Sequence, residues 1–89
     1  MPTVEFAKAF QRHVECPPLA VEASTLPAAL DAYFAARPGV RGYVLDDQGR
    51  VRKHVTLFVD GDMVDHCALS SRAVGPASTI HVFQALSGG

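Results

Sequence analysis

Few residues in this chain are of a type that does chemistry, and their spacing restricts them further. Cys16, His66 and Cys67 offer two thiols and an imidazole, but the separations match no zinc-ligand pattern, so a structural thiol and a surface imidazole are expected and no metal site. No motif around Cys67 supports a nucleophilic role, and whether a histidine approaches it in space is a question for the fold. Asp60, Asp62 and Asp65 resemble the start of a calcium loop that lacks the required downstream Glu and Gly spacing, and they read as solvated turn carboxylates. Arg50, Arg52 and Lys53 read as a solvated hairpin edge that could contact an acidic partner. Phe58, His81 and Phe83 are single aromatic side chains, each unremarkable alone as ordinary surface apolarity. Gly88-Gly89 closes the sequence, and a Gly pair by itself signals only a frayed end. No constellation here has the form of an active site.

The elements that position these residues follow from periodicity. Thr3 to Val14 alternates imperfectly, with Val4, Phe6 and Phe10 on one parity, which predicts a strand. Pro17-Pro18 interrupts it, and Leu19 to Ala23 resumes as a hairpin partner or edge strand. Thr25 is placed to cap a helix with Pro27 in its first turn, over residues 25 to 37. Leu26, Ala29, Leu30, Tyr33 and Phe34 make its apolar stripe, and Arg37-Pro38-Gly39 is read as its stop. The Asp46-Asp47-Gln48-Gly49 turn, flanked by Tyr43-Val44-Leu45 and Val51, suggests a small hairpin insert. His54 to Val59 alternates, Asp60-Gly61 makes a tight turn, and Met63-Val64 returns. Leu69 to Pro76 reads as loop, and Thr79 to Leu86 as a last strand.

In this order, hairpins at both ends surround one helix. The expected fold class is α+β: a mixed four- to five-stranded sheet, one main helix across one face, and the insert. The expected core pairs Leu26, Ala29, Leu30 and Tyr33 with Val4, Phe6, Val21, Val55, Leu57, Ile80 and Val82, the inward members of each alternating set. Phe58, His81 and Phe83 then share the opposite face as a docking patch.

Size and charge agree with a single unit. At 89 residues and 48% hydrophobic composition there is material for one domain, expected over residues 1–86, with 87–89 as a flexible tail. A net charge of −1, from eight basic and nine acidic residues, argues against nucleic acid and membrane as partners. Two cysteines are too few for a disulfide scaffold. Glu5 and Lys8 break any secretory signal near the N-terminus, so a cytoplasmic location is expected.

Three segments carry a family resemblance: Ser24-Thr25-Leu26-Pro27-Ala28-Ala29-Leu30 with the helix end Ala36-Arg37-Pro38-Gly39-Val40, then Leu57 to Val64, then Thr79 to Gly89. Together they resemble the MoaD/ThiS family of ubiquitin-like, β-grasp sulfur carriers, although that family more often places Asn where Asp60 stands. The resemblance implies that the Gly89 carboxylate is adenylated by a ubiquitin-activating-type enzyme using ATP. Sulfide or a partner persulfide then converts it to a thiocarboxylate that donates sulfur to an acceptor enzyme. It implies no bound cofactor and no catalysis by this chain, which acts as a protein cosubstrate or as the small subunit of a molybdopterin-synthase-type enzyme. Ser87 and Gly88 belong to the tail, and Phe58, His81, Phe83 and Leu86 to the partner surface. Two residues without Cβ suit a narrow channel, and Leu86 to Gly89 reach at most roughly 13–14 Å. The sulfur acceptor stays open among molybdopterin, cysteine, thiamine and specialised metabolites, with the insert favouring the first two. Two other functions compete: a modifier joined through Gly89 to lysines, and a binding module with an inert tail.

Overall fold

A computed structural model describes residues 1–84. Leu86, Ser87, Gly88 and Gly89, the expected tail and the end of the expected domain, lie outside the described residues.

The elements are β1 (Thr3–Phe6), α1 (Lys8–Gln11), β2 (Leu19–Ala20), α2 (Leu26–Ala36), α3 (Pro38–Val44), β3 (Val55–Val59), β4 (Asp62–Val64), a 3-10 helix (His66–Ser71) and β5 (Thr79–Gln84). The strands form one mixed sheet in the order β2-β1-β5-β3-β4. β5 lies in the middle, parallel to β1 and antiparallel to β3, while β1-β2 and β3-β4 are antiparallel pairs. The first and last strands therefore lie side by side at the centre, and α2 crosses one face. Every residue of the expected core is buried.

α2 starts where its sequence says. The Thr25 hydroxyl accepts from Ala28 N at 3.3 Å, with Pro27 in the first turn. Tyr33 is fully buried and its hydroxyl donates to Pro17 O at 2.8 Å, so the Pro17-Pro18 kink is tied to the middle of the helix. Burial, helped by the nearby Cys16 thiol, pushes the Tyr33 phenol up to about 12. Phe6 packs on both Tyr33 and Phe10, with ring centroids 4.9 and 5.3 Å apart.

Three local expectations are corrected. The strand expected over Thr3 to Val14 stops at Phe6, because the short α1 that follows turns the buried Phe10 back onto the buried Phe6 at the end of the strand. Pro38 starts α3 instead of ending the helical region: proline is tolerated at the first helical position, and the four-residue spacing of Val40 and Val44 buries both. The insert is thus a helix, and its hairpin reduces to a single bridge between Leu45 and Val51 around the Asp46–Gly49 turn. Within Leu69 to Pro76, residues as far as Ser71 continue the 3-10 helix. Ala73 then bridges to Thr25 beside the start of α2. Among the described residues, no helix is long and apolar enough to cross a membrane.

Candidate functional site

The face of the sheet turned away from α2 is built by the register of its central strands. Phe58 lies opposite His81 and Thr56 opposite Phe83, so the alternation that buries Val55, Leu57, Val59, Ile80 and Val82 turns Phe58, His81 and Phe83 outward together. The rings of Phe58 and Phe83 meet edge to face with centroids 5.3 Å apart, and His81 lies 6.0 Å from Phe83. Phe83 is 40% exposed; Phe58 and His81 are half-buried. With Gly61 they line a shallow depression.

Two residues not singled out from the sequence belong to this surface. Met63 lies opposite Phe58 across the β3-β4 hairpin and is 64% exposed, which extends the apolar strip to the sheet edge. On the other side Glu5 faces His81 from β1, its Oε2 3.3 Å from Nε2. The Asp60-Gly61 turn could have revealed Met63, because a two-residue turn fixes the hairpin register. Glu5 required knowing that β1 and β5 are parallel neighbours.

Asp60 is more than a solvated turn carboxylate. Asp60 and Gly61 adopt φ of 51° and 87°, the positive pair a type I′ turn needs. The Asp60 Oδ1 accepts from Thr79 N and its Oδ2 from the Ser78 hydroxyl, both at 2.9 Å. These bonds join the β3-β4 turn to the start of β5. They hold the carboxyl below its ordinary 3.8, the Thr79 amide contributing most.

The remaining candidates do not converge. Cys16 is buried and Cys67 exposed, both as free thiols. Burial pushes the Cys16 thiol up, which makes a poor nucleophile. His66 uses Nε2 to donate to Val55 O at 2.7 Å, so that nitrogen carries a proton. Among the described residues no three His, Cys, Asp or Glu side chains are grouped to hold a metal. A cavity of about 390 Å³ between α2, the Asp46–Gly49 turn and the 3-10 helix is walled mainly by Leu26, Leu30, Leu45, Val51 and Leu69, with Asp31, Arg50 and His66 also lining it.

What this arrangement does is present a strand. β5 is paired on both sides, and Gln84 is still in register with Val55, so the point from which the last five residues depart is fixed beside the aromatic strip.

Solved structures share this architecture along nearly the whole chain. SAMP1 from Haloferax volcanii is 22% identical with a TM-score of 0.79, over 99% of this chain and 98% of that one. A chain of the Amycolatopsis orientalis BexX/CysO complex is 15% identical with a TM-score of 0.81, covering 100% of both. Urm1 from Sulfolobus solfataricus is 11% identical with a TM-score of 0.69, over 93% and 99%. The fold is a ubiquitin-like β-grasp. The β-grasp expected from the resemblance is therefore the observed one, with α3 as its insert. No protein-family model matches the chain, and no curated protein sequence does.

Proposed function

We propose that this protein is a sulfur carrier, activated at Gly89 by an adenylating enzyme and converted to a thiocarboxylate. The observation that carries the reading is the central, doubly paired β5, which runs beside an aromatic surface to Gln84, five residues before Gly89 in the sequence. The neighbours of this β-grasp include H. volcanii small archaeal modifier protein 1 and a chain of the BexX/CysO complex.

The chemistry balances without a catalytic residue on this chain. The Gly89 carboxylate attacks the α-phosphorus of ATP and pyrophosphate leaves, giving an acyl-adenylate. Hydrosulfide or a persulfide of the partner attacks the acyl carbon and AMP leaves. With hydrosulfide the product is the thiocarboxylate directly; with a persulfide, a partner thiol must then cleave the acyl disulfide and itself become part of a disulfide. Phe58, His81, Phe83 and Leu86 form the docking surface for the activating and sulfur-acceptor enzymes. Small residues at 87–89 admit the backbone to a narrow channel.

Intact mass after incubation with ATP, sulfide and the adenylating enzyme tests this reading: a gain of about 16 Da marks oxygen replaced by sulfur. Deleting Gly89 should abolish the gain, because the carboxylate is then displaced by roughly 3.5 Å. Gly88→Val should lose ATP–pyrophosphate exchange. If both variants are thiolated at wild-type rates, the reading is wrong. The second reading, a protein modifier, is favoured by the modifier name of a structural neighbour. It shares the adenylate, and lysines bearing a Gly-Gly remnant in cell digests would distinguish it.

A further inference from the structure

The net charge of −1 hides a segregation of charge. Of the eight Lys and Arg residues, seven lie on or beside α1 (Lys8, Arg12), on or beside α3 (Arg37, Arg41) or before β3 (Arg50, Arg52, Lys53); Arg72 alone lies elsewhere. Asp60 and Asp62 lie at the opposite end of β3, at its turn into β4. A five-residue strand spans roughly 17 Å, about twice the Debye length of roughly 8 Å at physiological salt, so the two ends act as separate charged surfaces.

The cationic end is also where the chain leaves the sheet. On one flank of β5, Phe6 pairs with Val82, Ala7 N donates to Val82 O, and Lys8 follows. On the other, Val55 pairs with Gln84 and Lys53 stands two residues before it. Arg52 donates from Nε to Gly42 O at 3.0 Å, which ties the second flank to α3. The Tyr43 hydroxyl donates to His13 O at 3.4 Å and its ring stacks on the His13 imidazole, tying α3 to the end of α1. Lys8, Arg12, Arg41 and Lys53 are exposed. Among the described residues, the ion pair at this end joins Arg50 to Asp46 at 3.8 Å. Even with Asp46, Asp47 and Glu15 nearby in sequence and Asp65 beside the start of β3, cations are in excess.

We propose that this cationic collar is a second docking surface, distinct from the aromatic strip, for an acidic rim on the protein that takes up the C-terminal segment. It rests on the function proposed above. Position favours a protein rim: whatever receives residues 85–89 must sit against the collar from which they emerge. The nucleotide is too distant to be the target, because five extended residues carry the carboxylate up to roughly 17 Å from Gln84, beyond the collar's screened reach. The collar orients encounter and tightens binding without touching the chemical step.

The test is ATP–pyrophosphate exchange with the adenylating enzyme over a salt series, using the full chain. The Lys8→Glu/Arg12→Glu/Lys53→Glu variant should raise KM about tenfold or more at low salt with kcat unchanged, the difference shrinking as salt rises. Asp62→Lys, at the other end, should not raise KM. Should the triple variant fail to fold, Lys53→Glu alone should give a KM increase of about threefold with the same salt dependence. Wild-type exchange with unchanged KM in the folded variant overturns the collar and leaves the carrier reading standing. No exchange by wild type overturns both. Salt-sensitive binding of a 20-nucleotide single-stranded RNA by wild type, lost in the variant alongside an unchanged KM, overturns the acidic-protein assignment in favour of nucleic acid.

Discussion

The two faces of the sheet are made by the same strands and differ in almost every physical respect. Toward α2, Val4, Val55, Leu57, Val59, Ile80 and Val82 are all fully buried. One residue along each strand, Glu5, Thr56, Phe58 and His81 are half-buried and Phe83 is exposed. The covered face is aliphatic, close-packed and shaped by stability; the open face holds aromatics, a histidine–carboxylate contact and a hydroxyl, which stability does not require. A sheet needs only one buried face to fold, so residues on the other are available for recognition.

The largest test of that difference is truncation at adjacent positions of β3. Leu57→Ala should cost about 2–5 kcal/mol, from lost transfer energy and the cavity left between sheet and helix. Phe58→Ala should cost clearly less, because part of its ring already meets solvent. Denaturant unfolding of the two variants would break the comparison if their losses were equal.

Next in size is Tyr33→Phe, on the covered side. Removing the hydroxyl leaves Pro17 O without its donor, at a cost of about 1–3 kcal/mol. The variant also has a pH signature. The Tyr33 phenol is raised from 10.0 to about 12 in the fold, so the neutral form is favoured there. That stabilisation is fully present below pH 10.0 and lost as pH rises toward about 12. Chemical denaturation across this window should show wild type losing stability faster than Tyr33→Phe; parallel curves would remove Tyr33 as the cause.

On the open face, Phe83→Ala should cost about 1 kcal/mol in stability, the scale of its edge-to-face contact with Phe58. Its larger effect should fall on partner binding, where aromatic anchors commonly carry about 2 kcal/mol or more. Exchange assays should give a raised KM with the fold intact. A variant that unfolds, or one with wild-type KM, would strip the open face of the role proposed for it.

Much of this contrast was legible in the sequence because alternation encodes it: β3 and β5 carry clean period-two patterns, and Asp60-Gly61 fixes the hairpin between β3 and β4. The Thr25 cap and Pro27 located α2. What failed were places where one pattern serves two structures. Phe10 fits both the alternation of a strand and the short α1 that turns it back onto Phe6, and Pro38 both ends one helix and begins another. Long-range placement was harder still. Glu5 meets His81, and Lys8 and Lys53 bracket β5, only because a parallel pair joins the first strand to the last, and no local pattern reports that pairing.

The smallest expected effect lies where the faces share an anchor. Asp60 holds the start of β5 through the Thr79 amide and the Ser78 hydroxyl, and so helps to fix the register that sorts residues between covered and open sides. Asp60→Asn keeps a neutral acceptor for one bond and loses the charge-assisted character of both. Because the folded carboxyl lies below its ordinary 3.8, its stabilisation is present above that value and lost as pH falls through the lower folded one. Wild type should therefore exceed Asp60→Asn in denaturation midpoint near neutrality, and the gap should close below pH 3.8. Asp46, whose carboxyl is also held low by the Arg50 and Gln48 amides, is present in both proteins and cancels from the difference. A gap independent of pH would mean that the turn is held by its backbone geometry and that the carboxylate contributes no charge-dependent stability.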